Sequence, residues 1–279
     1  MLIQRAQVYR LEPSEAQASA FAQWVGVCRT VYNLSLDQRR TWGQQHRLSY
    51  NQQQGEITDL RADVDWIKAV PVHALQMTIR ALDNAFQRFF TRPGEFPTPR
   101  KKFVNDNFTL PDPSYLGFKR LNKNRGAVRV PKVGWVKLVG YRPLGGELRS
   151  ITISRKAGNW FVSVAWQKEV ADPVPAKQPS AGLDRGIMVF AGLSDGTKIK
   201  PIGAFKAIRT KLAKAQRKLA HKTRFGANWK KQKAKITRLH RKAANARKDY
   251  LHKLSTEIAK NHGVIKIETG LFNADDLLG

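Results

Sequence analysis

The sequence predicts a multi-domain α+β protein: a small antiparallel β-barrel with a helical insertion, followed by an α/β domain carrying long basic helices. Three observations predict it. Residues 2–10 read as a strand, and apolar residues alternate with period two over 127–167. They recur at helical spacing between residues 14 and 90. They do so again over 206–262, where 19 Lys and Arg stand against two acids, Asp249 and Glu257.

Each element has its own signal. Residues 2–10 read as a short strand, and Pro13 turns the chain. Ser14-x-x-Gln17 has the form of a capping box, in which the serine oxygen takes the orphan amide three residues on. Phe21, Trp24, Val25, Cys28, Val31 and Tyr32 then mark an amphipathic helix running to about Trp42. Ser49-x-x-Gln52 opens a second, polar helix with Ile57 and Leu60 on its inner face. Leu75, Ile79, Leu82, Phe86 and Phe89 define a third, which stops before Pro93-Gly94. Residues 93–125 read as irregular and hold the basic run Arg100-Lys101-Lys102. Val128/Val130, Val136/Leu138, Ile151/Ile153 and Trp160/Val162/Val164/Trp166 then alternate as strands, with a turn at Arg155–Asn159. Proline-rich residues 168–180 are a linker, and short strands around Asp184 and Ser194-Asp195-Gly196 follow. Two basic helices interrupted near Phe225–Asn228 lead to a last strand, Val264–Glu268. The expected division is a barrel at 1–12 and 126–172, a helical lobe at 13–125, a linker at 173–180, and a C-terminal domain at 181–279.

Charge limits the function classes. Fifty Lys and Arg against 21 Asp and Glu give +29 over 279 residues, and residues 206–262 alone hold +17. A protein this basic repels itself unless a polyanion neutralises it, and nucleic acid does so with release of condensed counterions. The candidate contacts are Arg100, Lys101 and Lys102, and on the basic helices Lys214, Arg217, Lys218, Lys222, Arg224, Lys230, Lys231, Arg241, Lys242, Arg247 and Lys248. Trp229 among them is placed to stack on a base, although an aromatic at helical spacing is more often core. One cysteine, Cys28, excludes an internal disulfide and a cysteine-pair zinc site, and the scattered histidines offer no ligand pair. No phosphate-cradling glycine loop is present, which argues against a nucleotide-driven motor. No signal peptide or membrane span is evident, so the expected location is the cytoplasm.

Asp184 and Glu268 are the acids singled out for chemistry. The order of strand, two strands, helices, strand resembles the RNase H-like architecture, in which the first and fourth strands are neighbours. Two carboxylates brought together in this way can share an oxygen-ligated Mg²⁺ and serve phosphodiester hydrolysis. By spacing alone the bland reading stands beside it, since Gly-x-Asp is common in turns and a Glu at a strand end is often just solvated.

Taken in order, the segments resemble the TnpB family of insertion-sequence proteins, relatives of the type V CRISPR effectors. The resemblance rests on Leu11–Gln17 with Gly26–Asn33, on Leu82–Phe90 with Phe96-Pro97 and Lys101-Lys102, and on Ile153–Arg155 with Trp160–Val162. It continues through Gly182–Ile187 with Ser194–Gly196 and through Ala244–Ser255. It implies a wedge-type β-barrel, an inserted helical recognition lobe, and a RuvC-like nuclease domain. The partners implied are a guide RNA encoded near the transposon end and a double-stranded DNA target with a short flanking motif. Asp184 matches the family's first catalytic aspartate and Glu268 its catalytic glutamate, both as Mg²⁺ ligands.

The sequence also departs from the family. Ile267-Glu268-Thr269-Gly270 stands where members usually read Ile-Glu-Asp-Leu. Members continue through a cysteine-ligated zinc element and a third catalytic Asp, so the RuvC-like domain here is incomplete and no zinc is expected. Asp275 and Asp276 follow Glu268 too soon to replace that third acid and read as a solvated tail. The expected function is therefore RNA-guided DNA binding with cleavage lost, akin to nuclease-dead repressors. The alternatives are an RNA-guided DNA endonuclease whose C-terminal part lies outside this chain, and an unguided basic binding module.

Overall fold

Strand β1 (Leu2–Glu12) forms because alternate residues can face a core: Tyr9 and Leu11 are buried while their neighbours are exposed. In the computed structural model, which describes residues 1–43, 48–91, 96–172, 178–184 and 189–267, the chain divides into two units, Met1–Ala171 and the part from Asp172 onward. The multi-domain α+β architecture is thus the observed one.

The first unit is a sheet joined to four helices. After β1 come α1 (Glu15–Trp42), α2 (Tyr50–Asp63), the single turn α3 (Asp65–Lys68) and α4 (Val72–Thr91). Then follow β2 (Asn107–Leu110), a 3₁₀ turn, β3 (Gly117–Arg120), β4 (Arg125–Val130), β5 (Gly134–Val139), β6 (Glu147–Lys156) and β7 (Asn159–Glu169). The strands form one antiparallel sheet of seven in the order β2-β6-β7-β1-β5-β4-β3. Strand β1 pairs with β7 from Leu2↔Glu169 to Arg10↔Phe161, and at its far end with β5.

Two strands fall inside the segment expected to be irregular. Strand β2 is four residues long and is held by β6, and β3 carries Phe118 as its one large apolar side chain and is held by β4. Neither is long enough to show a period in sequence; both are fixed by their partners. The sheet also curls. In a flat sheet three ladder spacings, about 14 Å, would separate β1 from β3. Yet the Tyr9 and Phe118 rings lie 5.3 Å apart, and Phe118 stacks on Tyr141 at 5.1 Å.

Helix α1 closes the curled sheet. Ser14 Oγ accepts from the Gln17 amide at 3.3 Å and Gln17 Oε1 accepts from the Ser14 amide at 3.1 Å, forming the capping box. Gln17 Nε2 also donates to the Trp135 carbonyl at 3.1 Å, which ties the helix start to β5. One turn on, the Phe21 ring meets Trp160 edge-on at 5.4 Å, and Trp24 meets Phe108 at 5.4 Å. Cys28 is fully buried beside them, and burial pushes its thiol pKa up to about 11.

The other helices are locked by a polar network. Arg39 on α1 pairs with Asp83 on α4 at 3.0 Å and donates from Nε to Gln53 Oε1 on α2 at 2.9 Å. Gln53, 1% exposed, donates in turn to the Ser35 carbonyl at 3.0 Å and to Gln38 Oε1 at 2.7 Å. A buried amide satisfied in this way fixes three helices to one register.

Phe21→Ala removes the ring that joins α1 to both β2 and β7. The expected loss is about 3–5 kcal/mol in urea unfolding of the purified protein. A loss under about 1 kcal/mol would show that α1 is not anchored there.

Candidate nucleic-acid interface

The second unit begins with a small sheet. Strands β8 (Ser180–Asp184), β9 (Ala191–Leu193), β10 (Lys198–Ile199) and β11 (Val264–Ile267) lie in the order β10-β9-β8-β11. Strand β11 is parallel to β8, with Ile267 opposite Leu183. A parallel pair needs a long crossover. Helices α5 (Ala204–Ala220) and α6 (Ala227–Asn261) supply it.

Asp184 ends β8 opposite Gly192 and is exposed. It opens onto a cleft of about 570 Å³ with Gly182, Ser194, Lys266 and Ile267. The Gly182 amide donates to Ser194 Oγ at 3.0 Å and the Ser194 amide to the Gly182 carbonyl at 2.9 Å, which fixes the cleft wall. Across the turn, the Asp195 carboxylate accepts from the Thr197 amide at 2.8 Å, and that bond holds its pKa below the usual carboxylate range. Glu268, Asp275 and Asp276 lie outside the described residues. Among the described residues no three acidic, histidine or cysteine side chains gather into a metal cage, and Lys266 lines the same cleft as Asp184. One carboxylate does not by itself fit Mg²⁺, which binds through several oxygens.

The two helices pack as a hairpin. Ile208, Leu212 and Ala215 are buried along α5, and Gln232 Nε2 of α6 donates to the Ala215 carbonyl at 2.8 Å. The far half of α6 lies on the sheet. There Ile258 is buried with Ala191 and Ile199, and Tyr250, Leu254 and Ile265 pack against them. The Tyr250 hydroxyl donates to the Lys200 carbonyl at 2.5 Å.

The basic side chains take the remaining surface. Lys214, Arg217, Lys218, Lys222, Arg224, Lys230, Lys231, Lys242, Arg247 and Lys248 are exposed, and Arg241 is half-buried. At about 100° per residue, Lys230, Arg241 and Lys248 fall within about 20° of one another around α6. The Tyr250–Leu254–Ile258 stripe that meets the sheet is centred about 120° from Lys230 on the same arithmetic. Helix α6 therefore turns an apolar face inward and a cationic face outward along roughly 50 Å. Among the described residues the single ion pair on this hairpin is Lys253–Asp249 at 2.7 Å, with both partners exposed. Arg209, Lys211, Lys233, Lys235 and Arg238 are exposed as well and extend the patch; the same signal, a basic residue off the apolar stripe, identifies them.

Aromatic residues sit at the elbow. Phe225, exposed and in the left-handed region at φ 67°, lies 5.4 Å from the half-buried Trp229. Arg224 covers Phe225 at 5.0 Å and Lys233 covers Trp229 at 4.7 Å. In the first unit Lys101 and Lys102 are exposed, but Arg100 is not free in the same way. Its guanidinium lies 4.0 Å from the Tyr32 ring, and its backbone exchanges hydrogen bonds with the Asn33 side chain at 2.8 and 3.1 Å. Burial lowers its pKa. Arg100 is held by α1, whereas its neighbours Lys101 and Lys102 reach solvent.

Known proteins match this chain at both ends and over most of its length. Residues 161–270 match the OrfB_IS605 family model, described as a probable transposase. Residues 1–48, whose described part is β1 and α1, match the companion model described as a helix-turn-helix domain. A putative RNA-guided DNA endonuclease, InsQ, from Escherichia coli (strain K12) is 34% identical over 265 residues, covering 93% of this chain and 64% of its own length. A putative RNA-guided DNA endonuclease from Streptomyces pristinaespiralis is 32% identical over 271 residues, covering 95% of this chain and 67% of its own. The chain thus spans about two thirds of the length of these relatives. Its fold is similar to that of the protein in a cryo-EM structure of the Cas12f1–sgRNA–target DNA complex. The TM-score is 0.52 at 12% identity, over 96% of this chain and 81% of that one.

If α5 and α6 form the interface, replacing Lys214, Arg217 and Lys218 together by Ala lowers the slope of log affinity against log salt by about 2–3 for RNA or DNA. Fluorescence anisotropy across a salt series reads it. An unchanged slope, with thermal unfolding also unchanged, would place the phosphate contacts elsewhere.

Proposed function

The chain belongs to the TnpB family, and from that premise we propose that it is an RNA-guided DNA-binding protein whose 279 residues bind without cutting. The observation that carries the binding is the helical hairpin, with its rows of exposed cations and a single ion pair among the described residues. Such a surface follows a phosphate backbone and carries no sequence information of its own. Sequence choice is then delegated to a guide RNA. The relatives named as RNA-guided DNA endonucleases, and the fold shared with a protein solved on guide RNA and target DNA, support both partners.

On this reading the curled sheet corresponds to the family's wedge-type barrel, residues 13–125 contain its recognition lobe, and the second unit is a partial RuvC-like domain. Asp184 is the first catalytic aspartate. Glu268, which follows Ile267 in sequence, is the catalytic glutamate that the family resemblance implies. Endonucleases of this family depend on a divalent metal, and two carboxylates hold it less completely than the larger donor set of a working site. On this reading the sheet and hairpin orient and bind, and cleavage is lost. That is the chemistry of a repressor-like protein. The second reading, an endonuclease completed by further sequence, is favoured by the relatives' greater length.

One preparation separates the readings. The purified protein is expected to carry one discrete RNA species, and with that RNA, target DNA and Mg²⁺ to shift the DNA without cutting it. A random RNA population would count against guidance. Efficient double-strand cuts that vanish in Asp184→Ala would install the endonuclease reading instead.

A further inference from the structure

Between α1 and the β6–β7 hairpin, wholly within the first unit, lies a cleft of about 530 Å³. That is within the roughly 300–1,000 Å³ typical of small-ligand pockets. Its walls carry Arg29, Lys102 and Arg155, together with the Phe103 and Trp160 rings. The charges are not equivalent. Arg29 is neutralised by the buried Asp106 at 3.2 Å. Among the described residues, Lys102 and Arg155 have no carboxylate partner; they lie 5.2 Å from the Phe103 centroid and 5.5 Å from the Trp160 centroid.

Phe103 is 72% exposed and sits in the left-handed region at φ 67°. A bulky residue is held there only when its surroundings dictate it. They do: the Phe103 amide donates to Asp106 Oδ1 at 3.0 Å, and Arg29 holds that same oxygen. The backbone that carries this exposed ring is thereby fixed, and the ring shares the cleft with Lys102 and Arg155. The floor is Gly26, in the interior of α1, where glycine is a poorer helix former than alanine. Nothing steric demands it, since an added Cβ would meet only Arg29 Nη2, at 3.9 Å. The missing side chain leaves the cleft open.

We propose that this cleft takes a single unpaired nucleotide of the bound nucleic acid, its base stacked on Phe103 and its phosphate held by Lys102 and Arg155. Aromatic stacking with flanking cations is the usual way an unstacked base is read. The inference rests on the nucleic-acid-binding reading above and adds a second, nucleotide-sized site apart from the phosphate-following helices.

Photo-crosslinking of the full chain tests it. An RNA hairpin with one bulged 4-thiouridine and a DNA hairpin with one bulged 4-thiothymidine are the probes, and mass spectrometry maps the crosslinked peptide. Crosslinking to the Phe103 peptide is expected in at least one arm, and which arm reacts identifies the source of the nucleotide. Gly26→Leu, which fills the cleft, lowers the yield at least fivefold, whereas Gly55→Leu, at a helix position with open space around it, does not. Lys102→Ala with Arg155→Ala gives the same loss without altering the helix. Binding of both hairpins with crosslinks only at other peptides, or a Phe103 yield indifferent to these changes, overturns the cleft and leaves the basic helices standing. Failure of both hairpins to bind at all overturns the nucleic-acid reading itself.

Discussion

Strand β1 lies at the centre of its sheet, with β7 on one side and β5 on the other, and both halves of the first unit meet through it. Remove it, and β2-β6-β7 and β5-β4-β3 become two separate three-stranded pieces, each with a new open edge. The same strand delivers the chain to Ser14, where the capping box starts α1, so the helical elements hang from one ladder. Phe21, Trp24, Phe108 and Trp160 then make the joint rigid. The cleft beside Gly26 and Phe103 is built on that joint, and its shape depends on α1 keeping its angle to β6 and β7.

The second unit works under a different constraint. Its sheet and the inner stripe of α6 bury few large side chains, and most of the hairpin surface is cationic. Self-repulsion across such a surface opposes compaction. A bound polyanion relieves it and adds stability by mass action. Affinity and folding are therefore linked in this unit. The acids that could have neutralised the hairpin internally are nearly absent: Asp249 is paired with Lys253, and Glu257 is the other.

Much of this was legible in the sequence, for physical reasons that differ by element. The long helices announced themselves because a buried stripe repeats several times along each, and Ser14/Gln17 and Ser49/Gln52 marked their starts as observed capping boxes. Strands β2 and β3 were hidden because four residues cannot display a period and their pairing is decided by β6 and β4. Asp184 stood out as an acid at a strand end, but the Lys266 that shares its cleft comes from a strand some eighty residues away and gave no local sign. Arg100 shows the converse. A basic run reads as a solvated patch, yet the ring of Tyr32, on a different element, captured one of its three side chains. Long-range contacts, not composition, decide which cations remain for a partner.

The central claim is that RNA, and not the protein, chooses the DNA. The most direct measurement replaces the targeting segment of the bound RNA and follows which of two duplexes the purified complex retains in a gel-shift competition. Guidance predicts that binding moves to the duplex matching the new segment, with the protein unchanged. Retention of the original duplex, or equal retention of both, would contradict it.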